Sequence, residues 1–122
     1  MERLVLKPYT RGGAVSFRDF MGMLRRSRGI ALVTGDYGCR ECDVLKELLR
    51  ESGAEGLIDY ELVVTHDDDS VEEAVSNGIM GIPLIIDCRG GDCSFINHPD
   101  PYRQFEELVR RLEEHGRRPT RR

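Results

Sequence analysis

The chain has 122 residues, of which 39% are hydrophobic and 33% charged, a size and composition that fit one folded domain with a single core. Its formal net charge is −4 at pH 7, which counts against a nucleic-acid binder because such proteins carry a basic footprint. No apolar run approaches the roughly 20 residues of a membrane-spanning helix, and the first residues lack the apolar stretch of a secretory signal. We therefore expect a cytoplasmic protein that contacts neither nucleic acid nor membrane.

Strand and helix patterns alternate through the first half of the chain. Residues 3–7 predict a short strand that the glycines at 12–13 break. Apolar side chains at helical spacing then predict a helix with Ser16 as its N-cap and Gly29 as its stop. The uninterrupted apolar run at 30–34 predicts a strand that is buried on both faces.

The same alternation continues through the middle of the chain. A second amphipathic helix at 39–53 opens with two cysteines, and a buried strand follows at 60–65. Ser70, with Glu73 three residues later, predicts the start of a short helix that stops at Asn77.

A hairpin and a last helix complete the pattern. Strands at 84–88 and 92–97 flank a Gly-Gly pair at 90–91, which predicts a two-residue turn. Asp100 predicts the N-cap of a final helix that Gly116 ends.

The predicted order of elements is β-α-β-α-β-α-β-β-α, which defines an α/β fold with a mixed sheet and helices on both faces. Strands separated by helices are expected to pair in parallel through right-handed crossovers, and the final hairpin must be antiparallel. We expect one domain over residues 1–116 and a basic, disordered C-terminal tail at 117–122.

The Cys39-x-x-Cys42 spacing carries the chemistry. Cys39 falls at a helix N-terminus, where unpaired N–H groups and the helix dipole stabilise a thiolate, so it is the candidate nucleophile. Cys42 shares a helix face with Leu45 and Leu49 and is expected to point to the core as the resolving thiol. The spacing alone also fits half of a zinc site or two inert cysteines, but its place between a buried strand and a helix favours redox chemistry.

Two segments carry a family resemblance. The two cysteines after the strand at 30–34, together with the Gly-Ile-Met-Gly-Ile-Pro segment at 78–83 and the apolar strand beyond it, resemble the thioredoxin family. The resemblance implies a thioredoxin-like fold over nearly the whole chain, and a cis bond between Ile82 and Pro83. It also implies that this loop positions the substrate beside the cysteines. A loose match to the glutaredoxins before the cysteines makes Tyr37 a candidate aromatic lip of the site.

The chain departs from the thioredoxin pattern at several positions. It has no Trp, and Val33 and Val64 stand where thioredoxins carry a buried Asp and a Lys, so the usual proton acceptor for the second cysteine is missing. The Cys-Pro-Tyr-Cys sequence and the Thr-Val-Pro loop of glutaredoxins are absent as well. The resemblance therefore leaves open whether the chain is closer to thioredoxins or to glutaredoxins.

Cys88 and Cys93 form a second pair, on facing strands of the predicted hairpin. Their predicted separation is within disulfide reach, and three alternatives stay open: two free thiols, a cross-strand disulfide that is either structural or a second redox pair, or a metal site. Since Cys88 lies about 16 Å further along its strand than Pro83, the geometry counts against one zinc held by all four cysteines.

The sequence predicts a thiol–disulfide oxidoreductase of cell redox homeostasis and electron transport. It would act on protein or small disulfides without a cofactor or a bound metal, and would receive electrons from a reductase or a low-molecular-weight thiol. The alternative from another class is a non-catalytic thioredoxin-fold adaptor, with its cysteines free or holding a metal. His66, before three consecutive aspartates, is compatible with a hard-cation site, but a solvated loop at a helix start is the better interpretation.

Overall fold

The computed structural model describes residues 1–8 and 14–117 as a mixed six-stranded sheet between two layers of helices. The strands are β1 (Glu2–Leu6), β2 (Ala14–Val15), β3 (Ile30–Gly35), β4 (Tyr60–Val64), β5 (Leu84–Asp87) and β6 (Ser94–Ile96), in the spatial order β2-β1-β4-β3-β5-β6. The helices are α1 (Phe17–Ser27), α2 (Arg40–Ser52), α3 (Asp68–Ser76) and α4 (Pro101–Arg117), with a 3₁₀ turn at Ala54–Leu57. The α/β class and the mixed sheet predicted from the sequence are confirmed, and β2 and the 3₁₀ turn are additions.

The central strand β3 contributes side chains to two hydrophobic cores, one on each face of the sheet. Leu32 packs in a cluster with Leu45 of α2 and Leu108 of α4. Val33, on the opposite face, packs in a cluster with Phe20 of α1. Since successive side chains of a strand point to opposite faces, a strand covered on both faces must be apolar without interruption.

The N-terminal ends of three helices follow the predicted capping chemistry. The Ser16 hydroxyl accepts the N–H of Asp19 at the start of α1, and the Asp100 carboxylate accepts the N–H of Tyr102 at the start of α4. Cys39 directly precedes α2, which ends at Gly53 in the left-handed conformation. The last helix includes Gly116 and reaches Arg117, one residue beyond its predicted end. The proposed break at 12–13 and residues 118–122 of the predicted tail lie outside the described residues.

One predicted helix boundary is confirmed and another is wrong. Helix α1 stops before Gly29 as predicted, and the Gly29 N–H donates to the Leu24 carbonyl, but the left-handed residue is Arg28. A Cβ at position 29 would lie 2.5 Å from the Asp59 carboxylate. The N-cap of α3 is Asp67 rather than Ser70, because the Asp67 side chain accepts the N–H of Ser70 and the Ser70 hydroxyl is directed elsewhere.

Strand β5 is antiparallel to β3, which corrects the expected parallel crossover. The connection between β4 and β5 is α3, which is held near the end of β1 by two hydrogen bonds. The Ser70 hydroxyl donates to the Leu6 carbonyl at 2.9 Å, and the Glu73 carboxylate accepts the N–H of Phe17 at 2.9 Å.

The β5–β6 hairpin has the predicted register but a longer loop. Asp87 pairs with Ser94, while the Cys88 carbonyl accepts the N–H of Gly91, so the turn does not centre on the two glycines as predicted. The Asp87 carboxylate accepts both the backbone N–H and the guanidinium of Arg89. This contact removes Arg89 from the strand ladder and starts the turn early. Burial opposes ionisation of Asp87, but the bonds from Arg89 outweigh it and lower the pKa of Asp87.

A buried carboxylate, that of Glu61, is paired with two partly exposed cations, one of them on α2. The Glu61 carboxylate accepts the Thr34 hydroxyl at 2.7 Å and the Lys46 ammonium at 2.7 Å, with Arg3 at 3.8 Å. Burial favours the neutral acid, but the bonds from Lys46 and Thr34, and the positive charges of Lys46 and Arg3, outweigh it. The pKa of Glu61 is therefore held below its ordinary value near 4.5.

We expect Glu61→Gln to lower the free energy of unfolding at pH 7 by about 1–2 kcal/mol. The reason is that Lys46 and Thr34 would then donate to a neutral amide, and hydrogen bonds to a charged group are the stronger ones. The pKa of Glu61 is lower in the folded protein than in the unfolded chain. Its stabilisation is therefore complete above about pH 4.5 and is lost as the pH falls through the folded-state pKa. In urea unfolding between pH 7 and pH 3, the difference in free energy of unfolding between the parent and the variant should become smaller below pH 4.5. Exposed Glu55→Gln is the matched control, and a gap that does not change with pH would contradict this account.

Among the residues that the structure describes, no helix has the length and apolar character needed to cross a membrane.

Candidate redox site

The two cysteines of the Cys39-x-x-Cys42 segment form a disulfide at the N-terminus of α2, with their Cα atoms 5.2 Å apart. Cys39 is the N-cap of the helix, half-buried, and its Sγ accepts the N–H of Cys42 at 3.2 Å. Cys42 lies on the core side, with 2% of its surface exposed. After reduction, the N–H and the helix dipole would stabilise a thiolate on Cys39, the sulfur that a partner can reach.

The loop before β5 meets the cysteines across Gly35. The Ile82–Pro83 bond is cis, with Pro83 buried and Ile82 half-buried. A Cβ on Gly35 would lie 2.6 Å from Ile82 Cδ1 and 3.9 Å from Cys39 Cβ. The end of β3 therefore leaves the space in which the Ile82–Pro83 loop and the disulfide come together.

An open groove of about 410 Å³ runs along this loop. Its lining includes Glu41, Met80, Ile82, Pro83, Asn97 and His98. Met80 is 81% exposed, so an apolar side chain stands free at the rim. Glu41, which lies between the two cysteines in the sequence, is the one lining residue from the Cys39-x-x-Cys42 segment.

Tyr37, two residues before Cys39 in the sequence, is 80% exposed. Its ring lies 5.3 Å from that of His66 between centroids, and His66 Nδ1 is 3.2 Å from the Asp36 carboxylate. The Asp36 N–H donates to the Val64 carbonyl. The end of β4 thus fixes the loop that carries Tyr37, a contact between distant segments for which the sequence has no local signal.

The aspartates after His66 do not face a common centre. Asp67 caps α3 and pairs with Lys7 at 3.0 Å, so its carboxylate is already occupied. Within residues 1–8 and 14–117, no three histidine, cysteine or acidic side chains lie together as a metal site requires.

The two positions that would hold a proton acceptor for Cys42 are apolar. Val33 is fully buried and Val64 nearly so, both in the core on the α1 side of the sheet. Glu41 and Asp43 flank Cys42 in the first turn of the helix, and Lys46, one turn after Cys42, is paired with Glu61.

Cys88 and Cys93 are also bonded to each other, with Cα atoms 4.0 Å apart. Cys88 is buried and Cys93 half-buried, at the far end of β5 from Pro83. Cys88 lies five residues beyond Pro83, which is about 16 Å further along an extended strand, and each sulfur is bonded within its own pair.

Gln104 of α4 is a site residue that sequence reasoning missed. It is 1% exposed, and its Nε2 donates to the carbonyls of Pro83 at 2.5 Å and His98 at 2.7 Å. Its only signal in the sequence was a polar residue within the apolar stripe that includes Phe105 and Leu108.

The chain is similar in fold to the oxidized form of thioredoxin O2 from Arabidopsis thaliana, with a TM-score of 0.54 at 17% sequence identity. The alignment covers 91% of this chain and 94% of that chain. No protein-family model matches the sequence, and no curated protein matches it. The chain therefore has the thioredoxin fold that its two motifs implied, and carries a Cys-x-x-Cys disulfide at the start of α2.

Proposed function

We propose that the protein is a thiol–disulfide oxidoreductase. The observation that carries the proposal is the Cys39–Cys42 disulfide at a helix N-terminus, with a half-buried outer sulfur, a buried inner sulfur and the Ile82–Pro83 loop beside them. This arrangement separates the two roles that disulfide exchange needs, an accessible nucleophile and a shielded resolving thiol.

In the reduced protein, the Cys39 thiolate attacks one sulfur of a substrate disulfide. A bond forms between Cys39 Sγ and that sulfur, and the other substrate sulfur leaves as a thiolate that takes a proton. Cys42 then loses its proton and attacks Cys39 Sγ, which releases the second substrate thiolate. Two electrons pass to the substrate, and the protein is left with the disulfide seen in the structure.

The loop and the rim supply substrate contacts in this proposal. The backbone of Ile82 pairs with an extended substrate segment as an added strand would, and Pro83 has no N–H to compete there. The exposed ring of Tyr37, two residues before Cys39, supplies an apolar contact. Substrates are disulfide-containing proteins or small disulfides, and a reductase or a small thiol returns the two electrons. We place the reaction in the cytoplasm, where such donors keep thiols reduced.

A non-catalytic adaptor is the second candidate. Apolar Val33 and Val64 favour it, because they leave Cys42 without the usual acceptor for its proton. An adaptor would use the same groove to bind a partner without exchanging disulfides.

The test is a titration of the purified protein in dithiothreitol redox buffers, with each cysteine quantified by alkylation and peptide mass mapping. We expect Cys39 and Cys42 to change together at one potential, and the reduced protein to reduce insulin. Cys88 and Cys93 serve as an internal reference for a pair outside the site. If Cys39 and Cys42 switch but no disulfide substrate is turned over, the adaptor is supported; if they never become reducible, the redox proposal fails.

A further inference from the structure

We propose that Gln104 is a positioning residue that holds the Ile82–Pro83 loop in place for recognition of an extended disulfide substrate. The proposal rests on the proposed function, and it assigns a role to a side chain that touches neither cysteine in the structure. Its observations are two hydrogen bonds, the burial of the side chain and one unpaired oxygen.

One amide group bridges the open end of the β5–β6 hairpin. The Pro83 carbonyl directly precedes β5, and the His98 carbonyl follows β6 by two residues. Gln104 Nε2 donates to both, at 2.5 Å and 2.7 Å. The pairing of β5 with β3 begins only at Leu84, so this bond fixes the backbone next to Ile82, where the sheet ladder does not reach.

The helix start that carries Gln104 is itself anchored. The N–H of Asp100 donates to His98 Nδ1 at 3.1 Å, and the N–H of Gln104 donates to the Asp100 carbonyl at 3.1 Å. Leu108, one turn later, is fully buried in the core beneath α4. Because α4 is packed on the core, the hydrogen bond from Gln104 fixes the position of the Ile82–Pro83 loop relative to that helix.

The acceptor end of the same amide points to function rather than stability. Gln104 Oε1 is buried and has no hydrogen-bond partner among the described residues. An unpaired buried acceptor is unfavourable, which reduces the net stabilisation that the two donated bonds contribute. The effect of those bonds that remains is the position they impose on the carbonyls of Pro83 and His98.

Loss of the hydrogen bond from Gln104 should affect large and small disulfide substrates differently. A loop released from Gln104 would present the Ile82 backbone in several positions, which weakens pairing with an extended peptide. A small disulfide that reaches Cys39 without lying along the groove would not be affected. The redox equilibrium of the Cys39–Cys42 pair would not change either, because no contact of the two sulfurs is removed.

The experiment compares Gln104→Met with the parent on insulin and on 5,5′-dithiobis(2-nitrobenzoic acid). We expect kcat/KM for insulin to fall roughly 10-fold, mainly through a higher KM. The rate on the small disulfide should stay within two-fold of the parent rate, and the redox midpoint of the Cys39–Cys42 pair should not change. Glu106→Gln, exposed on the same helix, is the matched control and should behave as the parent. Equal losses on both substrates, or no loss on insulin, would overturn the proposal.

A second measurement needs no change at position 104. Gln104 is the only glutamine in the chain, so selective ¹⁵N labelling isolates its side-chain amide signals. In Cys42→Ser protein, a mixed disulfide of Cys39 with an extended peptide should shift these signals, and one with 2-mercaptoethanol should not; no shift with the peptide contradicts the positioning role. A parent protein that reduces neither disulfide would defeat the proposed function itself, whereas an active parent with an unaffected Gln104→Met variant defeats only this inference.

Discussion

Cys39→Ser should lower the rate of insulin reduction by roughly 10³-fold or more, since it removes the attacking sulfur. Cys42→Ser should be just as inactive in turnover but should retain the first step. The buried serine hydroxyl cannot attack the mixed disulfide, so the substrate stays bound to Cys39. Mass spectrometry under non-reducing conditions should therefore find a covalent adduct on Cys42→Ser and none on Cys39→Ser.

The variant Cys88→Ser/Cys93→Ser is the control for this pair of results. It removes two sulfurs about 16 Å along β5 from the site and should keep turnover close to that of the parent once allowance is made for its lower stability. An adduct on Cys39→Ser through Cys42 would reverse the two assigned roles. Full turnover by Cys39→Ser would remove the Cys39–Cys42 pair from the mechanism.

Reduction of the Cys88–Cys93 disulfide should lower the free energy of unfolding by about 2 kcal/mol, the value that loop-closure entropy predicts for a six-residue loop. For a chain of this length, that change corresponds to a fall in Tm of about 6–12 °C. The experiment uses Cys39→Ser/Cys42→Ser protein, in which the hairpin disulfide is the only one left to reduce. Urea unfolding with and without a phosphine reductant gives the difference directly.

The matched control adds Cys93→Ser to that background, and its unfolding curve should not respond to the reductant. The Cys39→Ser/Cys42→Ser protein could also keep the same urea midpoint with the reductant, although mass spectrometry shows that its hairpin thiols are free. That result would mean that the disulfide does not stabilise the hairpin. In that case the contacts around it, such as the edge packing of Phe95 on Phe17 with ring centroids 6.4 Å apart, would be sufficient.

The order of elements could be predicted from the sequence because each depends on local information. Apolar spacing marks α1 and α2, the uninterrupted apolar run marks β3, and Ser16 and Asp100 mark helix starts. The direction of β5 could not be predicted, because the local sequence indicates that a helix joins β4 to β5 but not the direction in which the next strand returns. The helix itself is held by a contact as distant in sequence as that of Ser70 with Leu6, 64 residues away along the chain. The predicted hairpin turn was wrong for a different, local reason: the sequence pattern gave weight to the Gly-Gly pair and none to the hydrogen bonds between Asp87 and Arg89, two residues apart.

The candidate site divides in the same way. The spacing of Cys39 and Cys42 was informative because one helical turn fixes their relation, while Ile82 and Pro83 came from resemblance to a known family. The contact of His66 with Asp36 and the bonds of Gln104 could not be foreseen. Each joins residues that only the folded sheet brings together.

The side chain of Ile82 fills the space in which any side chain at position 35 would lie. This limits how the sequence can change at the two positions. A methyl group at position 35 would occupy the place of the Ile82 side-chain tip. A change at either position therefore alters which substitutions the other tolerates. Natural variants of this chain with a larger residue at 35 should carry a shorter one at 82, so that the two positions change as a coupled pair.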